Sequence, residues 1–371
     1  MHDIDPPNGS RRELLRKAAS FIGVIVRSKN PPMIRALAIA PTIAAAAALT
    51  ACGAKQDVVT TPTQRTVSVI LDQSANANHV GLYTAQTNGE FAKVGLNVKF
   101  IAPSNPSEPL KLLQSGGADL AISYEPELLI ERDKGAPILA VGAIAQRPLT
   151  SLMSVDDKAV DPRKLEGAKI GTSGLAFQDA FLDQILSASG VDTTSVKKVD
   201  VGFELARAMT SKRVDATLGA FWNIEGVELR QAKKRPRIMP VDRAGVPPYD
   251  ELVLAARNET VSRNGAMIRR FVGALQRGTQ AAKADPAAAT TTLRAAAPKL
   301  SKRDAVATVA ATLPLLFPAA RKPFGWQEPS QWQTFADWMK RNELLATPVD
   351  SAQAFTNEFL PGEGLGSQTT P

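Results

Sequence analysis

The stretch TVSVILDQSANANHVGLYTAQTNGEFAKVGLNVKFIA, Thr66–Ala102, decides the fold. It opens on a β-branched run, Val67–Asp72, and passes through a polar loop. Helical spacing then runs from about His79 to Val94, stops at Gly95, and gives way to a strand at Leu96–Ala102. A glycine at that position ends a helix without steric cost. Strand, helix and strand in succession make a βαβ unit, which builds parallel sheet with helices on its faces.

The alternation continues outward. Leu110–Gln114 reads as a helix ended by Gly116-Gly117, Ala118–Ser123 as a strand, Glu125–Lys134 as a helix and Pro137–Ala145 as a strand. A second unit begins near residue 148. Lys169–Thr172, Lys197–Val201, Val214–Ala220 and Pro236–Val241 read as strands, and Phe177–Ala188, Glu204–Lys212 and Glu225–Lys234 as helices. After one more apolar strand, Glu251–Ala256, the pattern is helical: Ser262–Ala284, Pro286–Ala297, Ser301–Leu316, Ser330–Asn342 and Ser351–Phe359. Two α/β lobes, each a mostly parallel sheet flanked by helices, and a helical C-terminal tail are expected.

Composition agrees with this and closes off several chemistries. The chain has 371 residues, 44% hydrophobic and 22% charged, enough for a large core and too apolar for global disorder. Its one cysteine, Cys52, excludes an intramolecular disulfide, a cysteine-based zinc site and an iron–sulfur cluster held by this chain alone. His2 and His79 are the only histidines, so no multi-histidine metal site is expected, and no cofactor. The net charge of +8 is misleading, because residues 1–51 hold seven Lys/Arg against three acids. The remainder is mildly basic and gives no nucleic-acid footprint.

Residues 1–51 read as an address. Met33-Ile34-Arg35 followed by the apolar Ala36–Ala51 has a basic start, a short apolar centre and small residues at the end, as a secretory signal does. Leu49-Thr50-Ala51-Cys52-Gly53 resembles a bacterial lipobox, with Cys52 as the lipidated residue. Ser10-Arg11-Arg12-Glu13-Leu14-Leu15 looks like a twin-arginine motif, but its apolar run is cut by Arg27 and Lys29, which favours a true start at Met33. Residues 52–65 read as a tether. A lipid on Cys52 would hold the soluble body on the outer face of the bacterial cytoplasmic membrane.

Ligands of such sheets sit where strands run into helices. Four junctions carry polar and aromatic groups: Asp72–Tyr83, Ser123–Glu127, Gly171–Gln178 and Gly219–Gly226. A returning loop, Gly245–Leu252, adds Tyr249. Carboxylates, amides and flat rings together suit a small planar heterocycle with amine donors.

These segments resemble the bacterial ABC-transporter substrate-binding proteins of the NMT1/THI5-like group, of the type that takes up thiamin pyrimidine precursors. The group's pattern is roughly Asp-Trp-x-Pro-Asn-x-x-His-x-Gly-Leu-Tyr, Ser-Tyr-x-Pro-Glu, Gly-Thr-x-Gly and Tyr-Trp-Asn-x-Glu-Gly. The likeness covers roughly residues 65–260, in order. It implies a two-lobed periplasmic-binding-protein fold of type II, with lobe 1 from 66–147 plus 249–371 and lobe 2 from 148–248. It places Asp72, Asn76 and His79, then Ser123, Tyr124 and Glu125, then Ser173, Gly174, Phe177 and Gln178, then Trp222, Asn223 and Glu225 at a ligand in the cleft. Glu225 and Asp72 would accept from an exocyclic amine, and Trp222 or Tyr124 would stack on the ring. The departures are Gln73 for the group's Trp, Ala75 for its Pro and Phe221 for its Tyr, which point to a wider or more polar pocket.

The implied partners are a small heterocycle, an ABC permease and the membrane, with a monomeric body. Each residue also has a plain alternative: His79 as a cap, Trp222 as inter-lobe packing, Glu225 as a helix-dipole partner, Asp72 as a turn former. The same fold could take a riboflavin-like heterocycle or an alkylsulfonate, although a sulfonate would favour cations where these junctions carry acids. A protein that contacts only other proteins is a further alternative. Eukaryotic relatives build the pyrimidine with a cysteine-rich iron motif, for which this chain has no cysteines left.

Overall fold

The computed structural model describes residues 64–155, 160–318 and 321–362. The signal, Cys52 and most of the tether lie outside the described residues.

The first lobe grows from the opening βαβ unit. β1 (Arg65–Ile70) lies parallel to β2 (Leu96–Ile101), with Val67 opposite Val98, and parallel to β3 (Leu120–Ser123), with Val69 opposite Leu120. Between β1 and β2 the expected single helix is two, α1 (Val80–Thr87) and α2 (Glu90–Lys93). The break falls at Gly89, whose φ of +69° is left-handed, a conformation that glycine adopts without steric cost. α3 (Glu108–Gln114), α4 (Glu125–Asp133) and β4 (Ile138–Ala145) complete the lobe's first pass.

The chain then crosses on Gln146–Leu149 into a strand that the sequence pattern did not disclose, β5 (Thr150–Ser154). β5 is buried throughout and carries no alternation, so nothing in its pattern marks it as a strand. The second lobe continues with β6 (Lys169–Thr172), α5 (Ala176–Ala188), β7 (Lys197–Asp200), α6 (Leu205–Thr210), β8 (Ala216–Phe221), α7 (Glu225–Gln231) and β9 (Arg237–Pro240). The chain returns through Val241–Glu251 to β10 (Leu252–Arg257).

The sheet orders are β2-β1-β3-β10-β4 and β7-β6-β8-β5-β9. Each sheet holds one reversed strand. β10 runs antiparallel to β3 and β4, and β5 runs antiparallel to β8 and β9. The reversed strand is in each case the first one laid down after a crossing, so entry into a lobe sets its direction. The carboxyl ends of β1 and β3, and of β6 and β8, are the strand-to-helix junctions at the order reversals of the two sheets.

The tail is α8 (Asn258–Ala284), kinked at Asn264, then α9 (Pro286–Ala296), α10 (Lys302–Thr312) and α11 (Pro329–Arg341). α8 crosses α1 at very close range. A Cβ on Gly278 would lie 2.5 Å from the Gly81 carbonyl oxygen and 2.4 Å from the Ala85 Cβ. α10 packs on both α7 and the single turn Ala77–His79, so the tail touches both lobes. The helix expected over Ser351–Phe359 does not form beyond the turn Ser351–Gln353. Instead the segment lies along β4: the Ala140 N–H donates to the Ala354 carbonyl, and the Thr356 N–H donates to the Ala140 carbonyl. The segment thereby pairs an N–H and a carbonyl of the sheet's open edge.

Candidate functional site

Asp72 stands just past the end of β1 and is fully buried. Its Oδ1 lies 2.7 Å from His79 Nε2, and its Oδ2 accepts from the Tyr124 hydroxyl at 3.2 Å. The Asn76 N–H donates to His79 Nδ1 at 3.3 Å, while the Asn76 side chain accepts from the Asn78 N–H at 2.9 Å. A ring nitrogen that accepts a backbone N–H carries no proton, so the hydrogen of neutral His79 sits on Nε2 and is donated to Asp72. Asn76 thus caps the turn Ala77–His79, and His79 holds Asp72 through Nε2 while its Nδ1 is taken by the Asn76 N–H, so neither ring nitrogen is free.

Tyr124, at the end of β3, meets the other lobe. Its ring lies 5.6 Å from Phe177 on α5 and 6.4 Å from Phe221 at the end of β8. The aromatic chain continues from Phe177 to Phe181 and on to Tyr249 and Phe335. Burial raises the Tyr124 hydroxyl well above its ordinary range, and the charges of Asp72, Glu127 and Glu251 add to it. It therefore stays a neutral donor to Asp72.

On the second lobe, Gln178 Oε1 accepts from the Ser173 N–H at 2.7 Å, and the Gln178 amide packs on the backbone of Gly219. Gly174 has φ +75°, and a Cβ there would strike the Asp200 carboxylate. Glu225, the first residue of α7, accepts from the Phe221 N–H at 2.8 Å. Burial pushes its carboxyl up to about 7, with smaller contributions from the charges of Glu228 and Asp72. Asp72 and Glu225 are thus two acids from opposite lobes that feel each other around the Tyr124, Phe177 and Phe221 rings.

Asn223 joins the lobes directly. Its Nδ2 donates to Asn78 Oδ1 and to Thr312 Oγ1, both at 2.8 Å. Asn78 Nδ2 and Asn223 Oδ1 are buried and have no partner among the described residues.

Four expected ligand contacts face elsewhere. The Ser123 hydroxyl donates to Glu127 at 2.7 Å, toward α4. Glu125 Oε2 accepts from the Asp250 N–H at 2.6 Å, tying α4 to the second crossing. Burial raises Glu125 strongly, with Asp250 next, and raises Asp250 to about 7. The Tyr249 hydroxyl donates to Glu251 at 2.9 Å, and Glu251 also accepts from the Leu149 N–H at 2.7 Å, the Thr150 N–H at 2.9 Å and the Thr150 hydroxyl at 2.8 Å. The Trp222 indole N–H donates to the Pro148 carbonyl at 3.1 Å, so its ring lies beside the first crossing and outside the ring contacts of Tyr124.

Glu251, Asp250, Asn78 and Phe221 as a ring were not singled out in the sequence, though they join the contacts between and beside the lobes. All four had a positional signal: Asn78 lies in the first junction, Phe221 in the fourth, and Asp250 and Glu251 in the returning loop. Among the described residues no cluster of three or more His, Cys, Asp or Glu could hold a metal ion.

Comparison with known proteins shows the family and the fold. The model of the NMT1/THI5-like family matches residues 76–289. A formylaminopyrimidine-binding protein of Halalkalibacterium halodurans is 32% identical over 79% of this chain and 90% of its own. A 4-amino-5-hydroxymethyl-2-methylpyrimidine phosphate synthase of Uromyces fabae is 26% identical over 80% of this chain and 88% of its own. Among solved structures, an alkanesulfonate-binding protein of Xanthomonas axonopodis pv. citri superimposes with a TM-score of 0.62 at 18% identity, over 78% of this chain and 98% of that one. At that identity the likeness concerns the fold, which is that of the periplasmic binding proteins.

Proposed function

The chain belongs to the NMT1/THI5-like family, and from that premise we propose that it is an extracytoplasmic solute-binding protein for a thiamin pyrimidine precursor of the formylaminopyrimidine or hydroxymethylpyrimidine type. The observation that carries the reading is the meeting of Asp72 and Tyr124 from one lobe with Phe177, Phe221 and Glu225 from the other. Acids at the edge and rings on the faces are the complement of a flat heterocycle that bears amine donors.

In this mechanism Glu225 accepts from the exocyclic amine. Asp72, its direction fixed by His79 and Tyr124, sets the charge of the opposite wall. Tyr124 and Phe177 supply the ring faces, and each such stacking contact adds about 0.5–1.5 kcal/mol beyond area burial. Ser173, Gln178 and the exposed Gly174 shape the second-lobe rim. The division into lobe 1 (66–147 plus 249–371) and lobe 2 (148–248) makes the crossings 146–149 and 241–251 the hinge. A ligand that touches both lobes favours the closed form by its difference in affinity for the two states. The closed form is what an ABC permease would recognise. Cys52, as a lipidated N-terminus, would hold a monomeric body on the outer face of the cytoplasmic membrane.

Binding is favoured over synthesis because the site presents positioning groups: both nitrogens of His79 are engaged, and the sole cysteine, Cys52, lies at the start of the tether. The acids disfavour an alkylsulfonate. Isothermal titration with formylaminopyrimidine, hydroxymethylpyrimidine and an alkylsulfonate tests this. A dissociation constant in the micromolar to nanomolar range, about −8 to −12 kcal/mol, is expected for a pyrimidine. Strong binding of the sulfonate with no heat from either pyrimidine overturns it.

A further inference from the structure

A second hollow lies beside the first crossing, with a volume of about 330 Å³. Arg147, Trp222, Arg230, Asp242 and Arg243 line it, with Pro240 closing the wall on the β9 side. It shares none of Asp72, Tyr124, Phe177 or Glu225. The three arginines come from three places: the first crossing, α7, and the turn that starts the second crossing. All three are exposed, and none makes an ion pair among the described residues. Asp242 is likewise outside every such pair, so the lining carries a net positive charge.

Trp222 gives the hollow a fixed flat wall. Its indole N–H is tied to the Pro148 carbonyl at 3.1 Å, and its backbone N–H donates to the Leu149 carbonyl at 3.0 Å. The ring therefore does not swing to fill the space. Three guanidinium groups around one concavity repel each other, and an anion placed among them relieves that repulsion. Guanidinium also matches the oxygens of a phosphoryl group two at a time.

We propose that this hollow is a binding site for a small soluble phosphoryl-bearing anion, preferentially one with a flat ring to lie against Trp222. The cation-lined hollow and the acid-lined cleft have opposite selectivities, so the two sites take different ligands.

The test is titration of the full chain, at low salt, with inorganic pyrophosphate and with a nucleoside monophosphate, beside vesicles of phosphatidylglycerol. The expected result is saturable binding of both soluble probes, weakening as salt rises. The double variant Arg230→Gln/Arg243→Gln should weaken it at least tenfold, as loss of charge-assisted bonds does. Pyrimidine affinity should be unchanged in the single variant Arg230→Gln, which lies on α7 outside the hinge crossings, and this separates the site from the cleft and also confirms the fold. No binding of either soluble probe overturns the proposal, as does binding that the double variant leaves intact or binding to the vesicles alone.

Discussion

If Glu225 accepts from the ligand's amine, affinity must follow its ionisation. Burial holds this carboxyl near pH 7, so on the acid side the group is mostly protonated and is a poor acceptor. At about pH 6 roughly one chain in ten carries the charge, and at about pH 8 nine in ten do, if the group titrates alone. A ligand that binds only the ionised form should therefore bind about tenfold more tightly at the higher pH, a difference of ~1.4 kcal/mol. Binding would pull the pKa down and release a proton at the lower pH. Isothermal titration in two buffers of different ionisation enthalpy reads both quantities, after the ligand's own protonation is measured and subtracted. Glu225→Gln should lose the pH dependence together with a charged hydrogen bond, about 1.5–3 kcal/mol. Glu228→Gln should keep the dependence, because Glu228 is also pushed to about 7 but lies one turn further along α7. Affinity that is flat across this window, or a Glu225→Gln protein with the wild-type slope, would refute the assignment.

Stability should also fall as pH rises. Burial pushes Glu127, Glu225, Glu228 and Asp250 to about 7, well above the range of the same groups in an unfolded chain. Between those limits the folded chain binds more protons than the unfolded one, so each group lowers stability by up to ~1.4 kcal/mol per pH unit, which urea unfolding at the two ends of the range measures. Glu251→Ala strands four donors from Leu149, Thr150 and Tyr249, and should cost about 3–5 kcal/mol in urea unfolding, as breaking a buried polar network does. Gly278→Ala forces α1 and α8 apart at a contact of 2.5 Å and should lower stability by about 1–3 kcal/mol without changing ligand selectivity. Asn223→Ala removes the bonds to Asn78 and Thr312, so ligand affinity should drop while unfolding of the separate lobes changes little, as titration and calorimetry can read.

The βα alternation was legible because each strand–helix pair carried its own punctuation: Gly95, Gly116 and Gly135 follow their helices in sequence and all have positive φ. β5 was not legible, since it is short and buried on both faces and shows no period. Ser351–Phe359 misled because its apolar spacing records contact with β4, and a segment added to a sheet edge can carry the same residues as a helix. At the site, the junctions disclosed which residues gather but not where each side chain turns. Ser123 and Glu125 follow one another around Tyr124, yet only Tyr124 points to the other lobe. Glu251 sits beside an expected ring and was passed over, because its partners are backbone N–H groups a hundred residues away in sequence.

Gln73, which stands where the resembled pattern has Trp, gains a definite meaning from this arrangement. Gln73 is only half-buried, while the rings that span the two lobes are those of Tyr124, Phe177 and Phe221. The flat wall is thus built without position 73, and the loss of the Trp removes one face and leaves the others standing. Recognition on the proposed reading then leans on the edge of the ligand more than on its faces. The edge is read by two acids held in different ways. Asp72 has both oxygens engaged by His79 and Tyr124, whereas Glu225 accepts from the Phe221 N–H. Asp72 fixes the charge of one wall and cannot turn toward a ligand without breaking those bonds. Glu225, the first residue of its helix and pushed up to about 7 by burial, is the acid whose state a bound amine can change. Selectivity among amine-bearing heterocycles should accordingly respond to Glu225 first, and substitutions at Asp72 should act through the placement of Tyr124.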